Sequence, residues 1–355
     1  MRDLRVAVVP GDGIGPEVVP EAVRVLEAAA ALHGGLRFTF EWFPWGCDHF
    51  RERGAMMPDD GLDILAGFDQ ILLGAVGRPD VPDHISLWGL LIPIRRSFEQ
   101  YVNLRPVRLL PGVESPLRGY GPGDIDLVVV RENSEGEYSA MGGRIHEGTP
   151  HEVAAQISYF SRMGVDRVMR YAFDLAATRR GSVTAATKSN GIVHTMPFWD
   201  QVAGEVAAGY ADVELHLVLV DALAAYFVTR PDTFDVVVAS NLLADILTDL
   251  GGAVMGSIGI APAANLNPEG RWPSMFEPVH GSAPDIAGRG IANPIGQIWT
   301  AKLLLDFIGE AEVGTAVLDA IEATLVEGVR TPDIGGRAKT SEVTDRILDH
   351  LRHQR

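Results

Sequence analysis

Short apolar runs alternate along the chain with longer segments in which apolar residues recur at helical spacing. The run Arg5–Pro10 predicts a buried strand, and the spacing in Pro16–Ala31 predicts a helix that begins at a proline. The same patterns predict strands at Leu36–Phe43, Gln70–Leu73, Asp126–Val130, Ser182–Ala186, Val213–Val220 and Asp235–Ala239, and helices at Leu87–Gln100, Pro294–Ile308, Glu312–Glu327 and Ser341–Arg352. This alternation predicts an α/β fold.

Two segments depart from this pattern. Gly136–Pro150 is rich in glycine, polar and charged residues, and we expect it to leave the core as an arm. Met275–Pro294 is punctuated by glycine and proline and predicts a loop that admits a flat ligand to the backbone. Its acidic residue Asp285 suits the two hydroxyls of an NAD ribose and would repel a ribose phosphate. The alternative is a well-ordered structural loop.

The composition limits the class of protein. A length of 355 residues predicts two domains, and a formal net charge of −17 makes nucleic acid and anionic membranes poor partners. The single cysteine, Cys47, cannot form an intrachain disulfide, which suits a reducing compartment. The first residues lack the apolar core of a signal peptide, and no run of about 18 apolar residues is present. We therefore expect a cytoplasmic protein without a membrane span.

Arginines follow or end several predicted elements. Arg95 lies in a predicted helix, Arg105 in the motif NLRP, and Arg131 just beyond the apolar strand DLVVV. The carboxyl ends of strands are where α/β folds bind ligands, and a guanidinium grips a carboxylate through two parallel hydrogen bonds. Such arginines would give an acidic protein a local basic site for an anionic substrate. The alternative for each is a surface ion pair.

Two residues indicate acid–base chemistry. Tyr138 lies in the motif RENSEGEYS, and Lys188 follows a predicted strand in the motif TKSNG. The chain has lysines only at positions 188, 302 and 339, among 30 basic residues. A desolvated amine can lose its proton, whereas a guanidinium cannot. Lys188 is therefore either a base or an ordinary surface lysine.

Two aspartates stand four residues apart in SNLLADILTDLGG, where a helix is predicted to begin after Asn241. At that spacing Asp245 and Asp249 share one face of the helix, where like charges repel. A divalent cation such as Mg²⁺ or Mn²⁺, which prefers oxygen ligands, would reverse that repulsion. Asp221, at the end of a predicted strand, is a third candidate ligand. In the alternative, Asn241 is the helix N-cap and the acids face solvent.

A glycine-rich motif, GDGIG, spans Gly11–Gly15 between the first predicted strand and helix. Such a loop either brings backbone N–H groups to an anion or is a simple turn. It lacks the spacing of the G-x-G-x-x-G dinucleotide fingerprint.

Taken together, these motifs resemble those of the β-decarboxylating dehydrogenases, the family of isopropylmalate, isocitrate, homoisocitrate, D-malate and tartrate dehydrogenases. GDGIGPEV, NLRPVR, RENSEGEYS, ATKSNG, SNLLADILTD and EPVHGSAPDIAGRGIANP occur in the family's order over nearly the whole chain. The stretches VPDHISLWGLLIPIRR, VESPL, GGRIHEGT and SNGIVHTMPFWD are most similar to the tartrate and D-malate branch. Ala222 and Ala244 depart from the usual pattern without removing a chemical group.

The resemblance implies roles for individual residues. Asp285 followed by Ile286 is similar to the NAD-using members. The implied substrate-binding residues are Arg95, Arg105, Arg131 and Trp88, and the implied acid–base pair is Tyr138 and Lys188. The implied metal ligands are Asp221, Asp245 and Asp249. The implied cofactor-binding residues are Asn190, His280, Gly281, Ser282, Ala283, Asp285 and Asn293.

The resemblance also implies a two-domain α/β architecture that differs from the ordinary Rossmann fold. A large cofactor-binding domain would combine residues 1–103 with 258–355, and a small domain, residues 104–257, would carry a dimerisation arm. In the implied homodimer each active site borrows Lys188 and Asp221 from the partner subunit. The implied cofactors are NAD and Mg²⁺ or Mn²⁺, and a need for a monovalent cation such as K⁺ is left open.

The implied reaction is oxidative decarboxylation of a small 2-hydroxy diacid. D-malate, converted to pyruvate and CO₂, is the first candidate, with oxidation or decarboxylation of tartrate beside it. Because Trp88 is bulky, it favours these substrates over 3-isopropylmalate, whose dehydrogenase activity is the alternative. An alternative of another class is a catalytically silent paralogue that binds NAD or a diacid.

Overall fold

The computed structural model describes residues 2–353 and divides the chain into two compact units. Within the described residues, unit 1 comprises 2–100, 105–125 and 252–353, and unit 2 comprises 101–104 and 126–251. Residues 105–125 thus group with unit 1, whereas we expected the small domain to begin at residue 104. The expected domain boundaries stay a prediction. In the described part of the chain, no helix has both the length and the apolar character that crossing a membrane requires.

Twelve strands are formed by the described residues. They are β1 Arg2–Gly11, β2 Leu36–Trp42, β3 Gln70–Ala75, β4 Val102–Arg108, β5 Asp126–Glu132, β6 Gly142–Ile145, β7 Val153–Gln156, β8 Ser182–Thr187, β9 Glu214–Leu219, β10 Val236–Ala239, β11 Pro262–Leu266 and β12 Ser274–Pro278.

The α-helices of the described residues also number twelve. They are α1 Gly15–His33, α2 Cys47–Arg53, α3 Gly61–Ala66, α4 Asp83–Ser86, α5 Ile92–Ser97, α6 Arg162–Ala177, α7 Thr195–Ala207, α8 Val220–Thr229, α9 Asn241–Val254, α10 Ile295–Phe307, α11 Ala311–Val326 and α12 Thr340–His353.

Five strands that lie wholly in unit 1 follow one another in the order β2-β1-β3-β12-β11. The pairs among β2, β1, β3 and β12 are parallel, and β11 is antiparallel to β12. Val6, Val8 and Val9 of β1 are fully buried, as expected where helices cover both faces of a parallel sheet. Helix α10 is buried along nearly its whole length, and its apolar residues accordingly lie on all of its faces rather than along one stripe.

In unit 2, the strands lie in the order β5-β10-β8-β9, and each neighbouring pair is parallel. Parallel strands end at one edge of the sheet, so the residues that follow β5, β8 and β9 are placed side by side. The segment Gly136–Pro150, which we expected to leave the core, contains β6. This strand pairs with β7, just beyond the segment, in a two-stranded antiparallel sheet whose residues are all exposed.

Several predicted elements differ from the structure. The strands β4, β11 and β12 were not predicted, because prolines and polar residues interrupt their sequences. The predicted helix Leu87–Gln100 instead contains a turn of π-helix, Leu87–Leu91, followed by α5, which ends at Ser97. The predicted loop Met275–Pro294 begins inside β12.

Candidate active site

Arg131 is held at the end of β5 by the first turns of α9. Because Arg131 pairs in register with Ala239 of β10, its side chain lies beside the helix that follows β10. Its Nε and one terminal nitrogen donate to Oδ1 of Asn241 over 3.1 and 2.7 Å, and its other terminal nitrogen donates to Oδ1 of Asp245. The guanidinium is nearly fully buried, with 2% of its surface exposed. The surface ion-pair alternative is therefore wrong for Arg131.

The same contacts correct the role expected for Asn241 as the N-cap of the helix that carries Asp245 and Asp249. Asn241 belongs to α9, and its side-chain oxygen accepts hydrogen bonds from Arg131. The backbone N–H of Leu242, in the first turn of α9, instead donates to a carboxylate oxygen of Glu137 over 3.0 Å. A glutamate from another segment thus caps the helix that we expected Asn241 to cap.

Tyr138 reaches the first candidate metal carboxylate. Its hydroxyl donates to Oδ2 of Asp245 over 2.8 Å, and its ring centroid lies 5.6 Å from the Arg131 guanidinium carbon. Asp245 is half-buried, whereas Asp249, one helical turn later, is exposed. The structure thus brings Arg131, Tyr138 and Asp245 into one hydrogen-bonded cluster in unit 2.

Lys188 and Asp221 form a second pair in unit 2. Thr187 and Leu219 are in register at the ends of the parallel strands β8 and β9, so the residues that follow them are adjacent. The Lys188 ammonium donates to Oδ1 of Asp221 over 2.7 Å, and this hydrogen bond lowers the pKa of the Asp221 carboxyl. Asp221, which we expected to close a strand, lies in the first turn of α8, just after β9 ends at Leu219. Asn190 follows in the exposed turn after Lys188.

In unit 1, Arg95 is paired with a carboxylate that the motifs did not single out. A terminal nitrogen of Arg95 donates to Glu277 over 2.6 Å, and the Asn265 amide donates to the same oxygen over 2.7 Å. The side chains of Arg95 and Glu277 are only 8% and 11% exposed. Among the described residues the buried Nε of Arg95 has no hydrogen-bond acceptor. Arg105, on β4, is 7% exposed.

Trp88 lies on the π-helical turn of unit 1, and about a third of its surface is exposed. The Arg96 guanidinium carbon lies 4.9 Å from the centroid of a Trp88 ring, within the range of a cation–π contact. Arg96 thus holds the aromatic side chain that we expected to limit the size of the substrate.

The candidate cofactor residues of unit 1 lie in the loop after β12. His280 is buried, which lowers the pKa of its imidazole, and its Nδ1 lies 3.0 Å from the Gly281 carbonyl oxygen. Its buried Nε2 has no partner among the described residues. The side-chain oxygen of Asn293 accepts the N–H of Ile295 at the start of α10. Ala283 has a positive φ of 40°, Ser282 is partly buried, and Gly281 and Asp285 are exposed.

The GDGIG motif is a turn that fastens this loop. The N–H of Asp12 donates to Ala75, that of Ile14 to the carbonyl of Ser282, and that of Gly15 to Asp12, over 2.7–2.9 Å. A Cβ on Gly13, whose φ is +59°, would lie 2.0 Å from the same Ser282 oxygen. Because three of its amides already donate to carbonyl groups, the structure favours the turn over the anion-binding loop.

The three candidate metal carboxylates do not come together among the described residues of one chain. Among residues 2–353 there is no group of three histidine, cysteine, aspartate or glutamate side chains that could hold a metal ion. Asp221 is bonded to Lys188, whereas Asp245 is bonded to Arg131 and Tyr138.

Sequence reasoning missed three polar residues of the site. They are Glu277, which accepts a hydrogen bond from Arg95, Glu137, which accepts the Leu242 N–H, and Asn241, whose side chain accepts from Arg131. The only signal in the sequence is the position of Glu277 and Glu137 inside quoted motifs, since their partners lie more than 100 residues away.

Known proteins resemble the chain over almost its full length. The family model described as isocitrate/isopropylmalate dehydrogenase matches residues 5–347. A probable tartrate dehydrogenase/decarboxylase of Bacillus subtilis (strain 168) is 59% identical over 99% of both chains. A D-malate dehydrogenase (decarboxylating) of Escherichia coli (strain K12) is 55% identical over 98% of both. The crystal structure of isocitrate dehydrogenase from Methylococcus capsulatus, 31% identical, superimposes with a TM-score of 0.89 over 99% of this chain and 100% of that one. These matches confirm the expected fold and resemblance, and the chain belongs to the isocitrate/isopropylmalate dehydrogenase family.

Proposed function

We propose that the protein catalyses the NAD- and metal-dependent oxidative decarboxylation of D-malate to pyruvate and CO₂, and the oxidation or decarboxylation of tartrate. The observation that carries this proposal is the cluster of Arg131, Tyr138 and Asp245. It joins an anion-binding group, a proton donor and a metal-binding carboxylate by direct hydrogen bonds. Relatives named for these two substrates are 55–59% identical over nearly the whole chain.

The acidic residues of α9 fit a divalent metal. Asp245 and Asp249 offer carboxylate oxygens one turn apart, and Mg²⁺ or Mn²⁺ commonly completes its shell with substrate oxygens and water. We propose Asp221 of a second subunit as the third carboxylate. When bound, the metal lowers the pKa of the substrate hydroxyl and stabilises the charge of the enolate.

The chain's own residues would bind the substrate and move two protons. The guanidinium groups of Arg95, Arg105 and Arg131 bind and orient its carboxylates. The Nζ of Lys188, as a neutral amine, accepts the proton of the 2-hydroxyl group while hydride leaves C2, the carbon that bears this hydroxyl. After CO₂ has left, the Tyr138 hydroxyl donates a proton to the remaining carbon.

The loop after β12 fits NAD as the hydride acceptor. The unpartnered Nε2 of buried His280 offers one hydrogen-bonding group to a ligand, and exposed Asp285 offers a carboxylate to a ribose. We propose that Asn190, Gly281, Ser282, Ala283 and Asn293 complete this binding site. A ribose phosphate would be repelled by Asp285, so NAD is preferred over NADP.

We further propose a cytoplasmic homodimer whose subunits exchange Lys188 and Asp221. Unit 2 exposes a set of apolar side chains that a second copy could bury, among them Ile145 (59% exposed), Val153 (51%), Ile157 (52%) and Ile246 (56%). The net charge of −17 makes nucleic acid and membrane surfaces unsuitable partners.

A substrate panel tests the proposed function. NADH formation is followed with D-malate, tartrate, 3-isopropylmalate and isocitrate, with NADP in place of NAD, and with and without K⁺. D-malate and tartrate should give the highest kcat/KM, and thorough chelation should abolish turnover. A higher kcat/KM for 3-isopropylmalate would establish the alternative dehydrogenase. Absence of turnover with any substrate, together with measurable NAD binding, would favour the silent paralogue.

A further inference from the structure

The loop that carries Tyr138 is fastened by three glutamates. Glu132 accepts hydrogen bonds within the loop, from the Ser134 hydroxyl at 2.6 Å and the N–H of Glu135 at 2.8 Å. Glu135 accepts the N–H and the hydroxyl of Ser161, at 2.7 and 2.6 Å, where α6 begins. Glu137 accepts the Ser240 hydroxyl at 2.8 Å as well as the N–H of Leu242, where α9 begins.

The two helix contacts of this loop differ in what lies next to them. Helix α6 carries none of the candidate site residues, whereas α9 carries Asp245 and Asp249. Glu137 directly precedes Tyr138, whose hydroxyl binds Asp245. Adjacent loop residues therefore grip α9 at its start and again about one turn further on. The contact of Glu137 with the start of α9 therefore lies directly beside the contact of Tyr138 with Asp245.

The start of α9 is a favourable place for the Glu137 carboxylate. The initial N–H groups of a helix lack partners within the helix, and the helix dipole attracts negative charge there. Without the Glu137 side chain, the loop keeps its anchor at α6 and the backbone pairing of Gly136 with Tyr159, but it loses its hydrogen bonds to the start of α9, the helix that carries Asp245. A displacement of about 1 Å can cost a reaction about 10²-fold in rate.

We infer that Glu137 is a positioning residue that sets the Tyr138 hydroxyl against Asp245 by anchoring the intervening loop to the start of α9. The inference rests on the proposed function in taking Tyr138 as the proton donor that acts after decarboxylation. Glu137 itself transfers no proton.

Kinetics of Glu137→Ala, with Glu135→Ala as the matched control, test this inference. Each variant removes two hydrogen bonds between the same loop and a helix start. Glu137→Ala should lower kcat with D-malate about 10- to 100-fold. Because the step after hydride transfer becomes slow, NADH should appear in a burst, and D-malate deuterated at C2 should show an isotope effect on kcat close to 1. Glu135→Ala should keep the wild-type kcat and isotope effect, even where its Tm falls as far.

Two milder variants guard against misfolding. Glu137→Gln keeps an oxygen for the Leu242 N–H and should recover most of kcat, whereas Ser240→Ala removes one of the two bonds and should give a smaller loss than Glu137→Ala. Equal losses in Glu135→Ala and Glu137→Ala would overturn the inference. So would a loss in Glu137→Ala without a burst and with an unchanged isotope effect.

A measurement without turnover separates this inference from the proposed function. 3-Fluorotyrosine placed at position 138 reports its surroundings by ¹⁹F NMR in the substrate-free protein. Its resonance should shift or broaden in Glu137→Ala and stay unchanged in Glu135→Ala. If the wild-type protein fails to oxidise D-malate, the proposed function fails, while this resonance still decides whether Glu137 positions Tyr138. An unchanged resonance in Glu137→Ala overturns the inference.

Discussion

Two of the buried arginines, Arg95 in unit 1 and Arg131 in unit 2, are held by their surroundings in different ways. Arg95 donates to Glu277, and both side chains are nearly inaccessible, at 8% and 11% exposed. Arg131 is still more buried, at 2%, but its carboxylate partner Asp245 is 33% exposed. Arg131 also donates two hydrogen bonds to the uncharged Asn241.

This difference separates a closed pair from an open one. Removing either member of a dry ion pair leaves an uncompensated charge in a medium of low dielectric constant. At Arg131, Asn241 keeps part of the guanidinium satisfied. Under the proposed function, this support lets Asp245 turn toward a cation while Arg131 binds an anion. We therefore expect Glu277 to govern stability and Asp245 to govern activity.

The largest expected effect is the loss of activity when the proposed base, Lys188, is replaced. Lys188→Ala should lower kcat by about 10²–10⁴-fold, the usual contribution of general acid–base catalysis. Lys188→Arg should recover little, because a guanidinium cannot accept the proton. Steady-state kinetics with saturating D-malate measure both losses.

Mixed dimers sharpen this test. If Lys188 acts in the partner's site, inactive Lys188→Ala and inactive Arg131→Ala subunits should regain activity when combined, since one of the two sites then carries neither lesion. Tagging each subunit verifies the exchange. Inactive heterodimers of confirmed composition would place Lys188 and Arg131 in the same subunit's site.

The next largest effect concerns stability and tests the comparison directly. Glu277→Gln leaves the charge of Arg95 buried without its counter-charge, so the free energy of unfolding should fall by about 3–5 kcal/mol. Asp245→Asn, the matched control, should cost less, because Asn241 still accepts two hydrogen bonds from the Arg131 guanidinium and the lost carboxylate was 33% exposed. Urea unfolding of both variants measures the difference. Equal losses would show that the two pairs are energetically alike.

A smaller effect is expected at the stacked tryptophan of unit 1. Trp88→Ala should shift the ratio of kcat/KM for 3-isopropylmalate over D-malate by about 10-fold or more, as enlarged apolar pockets do. Its neighbour Leu87, which is equally exposed, provides the control. An unchanged ratio in Trp88→Ala would remove Trp88 from the substrate pocket.

The smallest effect is expected at an ion pair on the surface of unit 1. Two bonds from Arg346, at 2.5 and 2.7 Å, lower the pKa of the Glu327 carboxyl from 4.5 to about 2. A lowered carboxyl pKa stabilises the fold above the unfolded value, and this contribution is lost as pH falls from about 4.5 toward 2. The small stability difference between wild type and Glu327→Gln should narrow as the pH falls below about 4.5, where the unfolded carboxyl takes up its proton first. A difference that grows with acidity would contradict the assignment.

Local pattern was enough to predict much of the fold and part of the site. Apolar runs predicted β1, β5 and β8, since strands buried on both faces have continuous apolar sequences. The positions of Arg131 and Lys188 just beyond such strands predicted that they would lie at the sheet edge. The structure adds that register between neighbouring strands brings each of them to its carboxylate partner.

The remaining features depend on residues far apart in the chain. Asn241 has the composition of an N-cap, but its side chain binds Arg131, 110 residues away. Glu277 is 182 residues from Arg95, and neither residue has a local signal for the other. The strand β12 contains a glutamate and ends in proline, so local propensity argued against it while its place between β3 and β11 determined its conformation.

The Lys188–Asp221 pair has a consequence for covalent labelling. The sequence contains lysines only at positions 188, 302 and 339, so an amine-directed reagent meets few side chains. Lys302 is bonded to Asp306 and 18% exposed, whereas Lys188 is 33% exposed. Peptide mass spectrometry can therefore follow the acylation of Lys188 separately, with the exposed Lys339 as an internal reference. If a second subunit covers this pair, the labelling rate of one amine becomes a direct measure of assembly.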